Sequence, residues 1–265
     1  MSYQGERTYK EYSNWDLMVK GVLPVIDAPE QRKKTMIEQW KKELEVGEVT
    51  WKSVQEAFAT YEGDYGIVDH AGDPVVSVLG EPRRGDHHYS VSGLAGMSEQ
   101  DFLAAVEGKK TAVLIACMDK RAIADTYDQV REEVGEDVEL ITLSMGGGIV
   151  QEDVITRDKQ RVTVNRALAL RVITQYIDQV ADVVKVVVTG HDRQCGAVKF
   201  YKDGTPLHQE LGVEKGAPEE QAAMIDMINA KANEILPANW SGVADTRLVT
   251  INHDDHFHRM VPTEG

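Results

Sequence analysis

A chain of 265 residues, with 42% hydrophobic and 28% charged side chains, is long enough to bury a core without staples and has the composition of an ordinary globular protein. Its net charge of −15, from 44 acidic against 29 basic residues, argues against nucleic acid or an anionic membrane surface as partner, since either needs clustered Lys and Arg. No apolar run approaches the roughly 20 residues that span a bilayer, and the opening MSYQGERTYKEYSNWD has no basic flank leading into an apolar segment, so a cytoplasmic location is expected.

The first 110 residues differ in texture from the rest and are expected to form an extension of helices and a short hairpin. Residues 28 to 45 and 50 to 60 read as exposed amphipathic helices, and 66-GIVDHAGDPVVSVLG-80 as two short strands about a Gly-Asp-Pro turn. The glycine-rich 80-GEPRRGDHHYSVSGLAG-96 reads as a connector, with His87 and His88 in a loop and the Arg-Gly-Asp at 84 to 86 a chance tripeptide. Ser98 followed by Asp101 predicts a capping box opening a helix over 99 to 107.

From residue 111 to 265 the pattern is that of a single α/β unit. The apolar run 112-AVLIAC-117 predicts a strand buried on both faces. Ile123, Tyr127, Val130 and Val134 recur at helical spacing, and Gly135 closes that helix. A second strand, 138-VELITLS-144, leads to Gly146, Gly147 and Gly148. A long helix is expected next, with Val162, Ala169, Val172, Ile173, Tyr176, Ile177 and Val180 on one face. The β-branched 184-VKVVVTG-190 makes a third strand, residues 217 to 236 a further helix, and 247-RLVTINHDDHFHRMV-261 a hairpin turning near Asp254 and Asp255. Alternating strands and helices imply a mostly parallel sheet flanked by helices, whose sites form beyond the carboxyl ends of the strands.

Two cysteines in 265 residues make no disulfide framework, and in a reducing compartment they are buried thiols, a nucleophile or metal ligands. Both lie just past apolar runs. Cys117 precedes Asp119 and Arg121, and Cys195 follows His191 in 189-TGHDRQCGAV-198. Thiolate and imidazole are ligands that zinc favours, and Cys117, His191 and Cys195 would supply the three protein ligands of a catalytic site with one position open. Asp119 could accept the proton of a metal-activated water or fill the fourth position itself, while Arg121 can pair with Asp119 and hold it off the metal.

These segments resemble a known family. Cys117-Met-Asp119-Lys-Arg121 is similar to the C-x-D-x-R motif of the β-class carbonic anhydrases, and 190-GHDRQCGAV-198 to their G-H-x-x-C-G-A segment, over about Thr111 to Met260. The resemblance implies that family's sheet architecture, a Zn2+ cofactor, reversible hydration of CO2 to bicarbonate by a zinc-activated water, and a homodimer or higher homo-oligomer. The chain departs from the family in three places. Three residues separate His191 from Cys195 where the family has two, 144-SMGGGIV-150 stands in place of an Arg-Asn-Ala-Gly turn, and 151-QEDVITRDKQ-160 is longer than usual. Such divergence leaves two alternatives open: hydrolysis of carbon disulfide or carbonyl sulfide, and an inactive zinc-binding or assembly protein.

A cysteine nucleophile activated by His191 is the competing chemistry, but it uses one cysteine and leaves the other, with Asp119 and Arg121, unexplained. His253, His256 and His258 read as alternating polar residues of an edge hairpin, not as a second metal site. The three glycines lack the Lys-Ser/Thr tail of a phosphate-binding loop and read as a tight turn.

Overall fold

The structure, a computed structural model, describes residues 47–62, 85–90, 97–117, 120–145, 152–157, 160–191, 218–251 and 258–261, with positions 31, 34, 35, 38, 94, 96 and 149 besides. In chain order the elements are α1 (Trp51–Glu62), β1 (Asp86–Ser90), α2 (Glu99–Val106), β2 (Lys110–Cys117), α3 (Lys120–Val134), β3 (Glu139–Met145), β4 (Glu152–Arg157), β5 (Gln160–Asn165), α4 (Arg166–Val180), β6 (Asp182–His191), α5 (Glu220–Ile235), β7 (Ala244–Ile251) and β8 (His258–Val261). A 3-10 turn at Ala238–Gly242 links α5 to β7.

Six strands form one sheet in the order β1-β3-β2-β6-β7-β8. The first five run parallel, and β8 closes the edge antiparallel to β7, pairing Ile251 with His258 as expected of a hairpin. β2 sits at the centre because both its faces are apolar: seven of its residues, Thr111 to Cys117, are buried. Strand alternation divides them. Ala112, Leu114 and Ala116 join Leu140 and Val187 under Ile123, Tyr127 and Val130 of α3. Val113, Ile115 and Cys117 join Ile141, Leu143, Val186 and Val188 under α4, α5 and the two N-terminal helices. The sheet is thus covered by helices on both faces, the doubly wound arrangement that a buried parallel sheet requires.

Local signals explain several boundaries. Gly135 takes φ +79 at the end of α3, a left-handed conformation that a side chain would strain. Ser98 caps α2 by accepting the Asp101 amide at 3.2 Å, and its own hydroxyl donates to the Asp101 carboxylate at 2.6 Å. The box therefore closes side chain to side chain.

Four expectations are corrected. α1, read as an exposed helix, buries Trp51, Ser53, Val54 and Ala57. Trp51 lies 4.8 Å from Phe102 and 5.2 Å from Tyr176, ring centroid to centroid, and Gln179 clamps the preceding segment through the Val49 amide (2.6 Å) and carbonyl (2.8 Å). The connector contains β1, a strand of the main sheet. Val162, placed on the long helix by its spacing, belongs to β5, and α4 starts only at Arg166. Finally, the stretch after Gly148 is an antiparallel hairpin, β4 with β5, forming its own two-stranded sheet. In the stretch 28 to 45, the described positions 31, 34, 35 and 38 are helical, whereas the two strands expected in 66 to 80 lie outside the described residues. Among the described residues no helix is long and apolar enough to cross a membrane.

Candidate metal centre

The strand order decides where a site can form. From β2 the chain crosses through α3 to β3 on one side, then returns through α4 to β6 on the other. Between β2 and β6 the direction of winding reverses, and the carboxyl ends of the flanking strands diverge into a crevice there. Cys117 is the last residue of β2 and His191 the last of β6.

Register places these two ends side by side. Thr111 pairs with Val183, an offset of 72, and a bulge then leaves Val184 unmatched, so that Ala112 to Ile115 pair with Lys185 to Val188 at an offset of 73. Carried on, that offset sets Cys117 level with Gly190 and His191 one residue beyond. Without the bulge His191 would stand two residues beyond, about 3.3 Å further along the strand. On its other side Cys117 pairs with Met145, the last residue of β3.

Cys117 is 4% exposed, on the α4 face of the sheet. Burial among Val113 and Ile115 disfavours a bare thiolate, so a cation at the strand end would have to offset the cost of that charge. Arg121 is the second residue of α3, which begins three residues after Cys117 at Lys120. For Arg121 and His191 the backbone alone is described, and Asp119 and Cys195 lie outside the described residues, as do His253, His256 and the three glycines. Among the described residues no three His, Cys, Asp or Glu side chains converge. The structure thus brings together the backbones of two of the expected ligands.

His87 and His88, expected in a loop, are in β1, paired with Ile141 and Thr142. His87 Nε2 meets Glu139 at 3.1 Å, and His88 packs edge-on to Tyr127 with centroids 5.1 Å apart. Their neighbour is a buried charge cluster that sequence reasoning missed. Asp86 Oδ1 accepts from Arg131 Nη1 at 2.7 Å, Oδ2 accepts from the Tyr127 hydroxyl, and Arg131 Nη2 donates to the carbonyls of Val138 (2.8 Å) and Gly135. The Asp86 side chain is fully buried and that of Arg131 is 6% exposed. The cluster ties β1 to the end of α3. The signal was Asp86 itself, set aside within a tripeptide: its partner lies 45 residues away.

A second charged group joins α3 to the sheet at the end opposite the crevice. Arg247 donates to both Glu133 oxygens at 2.7 Å and also to Asp245, while Lys185 meets Glu133 at 3.0 Å. The bond from Arg247 holds the Glu133 carboxyl at about 2, well below its usual value. Both clusters are structural by their position.

Comparison with protein-family models and with curated proteins gave no match.

Proposed function

We propose that the chain is a zinc lyase of the β-carbonic-anhydrase kind, catalysing reversible hydration of CO2 to bicarbonate. The observation that carries this reading is the placement of Cys117 and His191 at adjacent strand ends on either side of the switch point. Two zinc-favoured residue types at that location, 74 positions apart in the chain, are accounted for together by a shared metal. The two motifs around them, C-x-D-x-R and G-H…C-G-A, support the same family reading for residues 111 to 265, with residues 1 to 110 as its extension.

Zinc, when bound, supplies a Lewis acid that lowers the pKa of a coordinated water from 15.7 towards about 7. In this reading Cys117, His191 and Cys195 would hold it, and Asp119 would accept the proton released when the metal is bound. Arg121, at the start of α3, pairs with Asp119 and keeps its carboxylate from closing the fourth position. Val113 and Ile115, buried beside Cys117, keep bulk water from that side of the strand. Carbon disulfide and carbonyl sulfide are apolar and of similar size, so they form the second substrate class to assay.

Stopped-flow hydration on protein of measured zinc content, with those two compounds as alternative substrates, tests the proposal. Turnover of CO2 in proportion to zinc is the expected result. A chain holding one zinc and turning over none of the three compounds refutes the enzymatic reading, and thiol chemistry without zinc refutes the metal.

A further inference from the structure

The hairpin of β4 and β5 is inserted between the carboxyl end of β3 and the start of α4, and among the described strands it pairs with none of the main sheet. β5 runs into α4 without a loop, Asn165 being followed directly by Arg166. Six residues a strand give the hairpin a length of about 20 Å. A two-stranded hairpin is at best marginally stable alone in water and needs a surface against which to pack. Among the described elements, β4 and β5 pack on each other and on no third element to a comparable extent.

Register tells which face needs the cover. Residues opposite one another in an antiparallel ladder share a face, and successive pairs alternate between the two. Asp153 opposite Val164, Ile155 opposite Val162 and Arg157 opposite Gln160 make one face. Glu152 with Asn165, Val154 with Thr163 and Thr156 with Arg161 make the other. The first face thus carries Ile155, Val162 and Val164 as neighbours, and the second carries Val154 as its one aliphatic residue.

Charge indicates what covers the first face. Ile155 stands at its centre along β4, with Asp153 two residues before and Arg157 two residues after. Opposite charges at equal distances from one centre are self-complementary. A two-fold axis at Ile155 sets Asp153 of one copy against Arg157 of the other, and Ile155 against its own equivalent. A different protein would have to match that pattern by coincidence, whereas a second copy matches it by symmetry.

We propose that this face of the β4–β5 hairpin is a self-association surface, seated on the same face of a second copy of the chain in a two-fold dimer. It uses no residue of the candidate metal centre.

The test is sedimentation equilibrium on the full-length chain over a micromolar concentration range, with wild type, Asp153→Arg, Arg157→Asp, the double exchange Asp153→Arg/Arg157→Asp, and Ile155→Glu. Wild type is expected to be a dimer. Each single exchange sets like charges opposite one another, and Ile155→Glu puts a charge at the apolar centre. Each should raise the dimer dissociation constant about thirty-fold or more, as loss of a central contact does. The double exchange restores the pairing and with it the dimer. That recovery separates a second copy from the chain's own body as the cover, because charges on the body would not be exchanged with those of the hairpin. A wild type that stays monomeric throughout overturns the proposal, as does an Ile155→Glu protein that dimerises like wild type, or a double exchange that stays dissociated. Should circular dichroism show Ile155→Glu unfolded, the charge variants decide alone.

Discussion

Single side chains carry the sharpest expectations. Cys117→Ser replaces a soft thiolate by a hydroxyl at the end of β2, so zinc and activity should fall together; full zinc retention, measured by elemental analysis, would remove Cys117 from the ligand set. Arg121→Ala should do the reverse, keeping zinc and losing turnover, because an unpaired Asp119 is free to close the fourth position. Unchanged turnover in that variant would remove the latch. Away from the crevice, Asp86→Ala leaves Arg131 buried with its counter-charge gone, and equilibrium urea unfolding should show a loss of about 3–5 kcal/mol. These residues differ in how legible they were. Cys117, Asp119 and Arg121 announce themselves by chemistry at short spacing, and Asp86 does not, because its meaning lies wholly in Tyr127 and Arg131 across the fold.

At the level of elements, the sequence is most readable where burial is continuous. β2, β3 and β6 stand out because strands covered on both faces must be apolar throughout, and α3 because one face packs on the sheet while the other meets water. β1 is hidden for the complementary reason: DHHYS has one large apolar residue, Tyr89, and its remaining stabilisation comes from the Asp86 cluster and from pairing with β3. Val162 fits a helical repeat with Ala169 by coincidence of spacing, and the register of β4 on β5, Ile155 opposite Val162, is set by pairing that no helical period reveals. α1 seemed exposed because its polar residues are as numerous as its apolar ones, yet Trp51 is seated between Phe102 and Tyr176. Trp51→Ala should cost about 3–5 kcal/mol in urea unfolding. The link between α3 and β7 has a pH signature. Glu133 titrates lower folded than unfolded, so its contribution is complete above the ordinary carboxylate range, near 4.5, and is lost as pH falls through about 2. Glu133→Gln should therefore melt below wild type at pH 7, the two curves converging by about pH 2 in calorimetric scans; a constant difference across that range would show that the charge contributes nothing.

For the molecule as a whole, a mostly parallel sheet flanked by helices was legible from alternation alone, and its strand order was not. Strand and helix periods say that β2, β3 and β6 are parallel neighbours of some kind; which pair flanks the reversal follows from crossovers packing onto opposite faces. That order is what sets β2 and β6, which end at Cys117 and His191, next to each other. The N-terminal helices and β1 are built into the same core and sheet as the residues after 110, so the sheet draws on both stretches of chain. The net charge of −15 belongs to this scale too: it disfavours association with polyanions. The central claim is that Cys117 and His191 are ligands of one catalytic zinc. The most direct test measures stopped-flow CO2 hydration by zinc-loaded wild type and Cys117→Ser in parallel, with zinc determined on the same samples. The account predicts turnover that tracks bound zinc in the wild type and vanishes with it in the variant; a Cys117→Ser protein that keeps both its zinc and its turnover would contradict it.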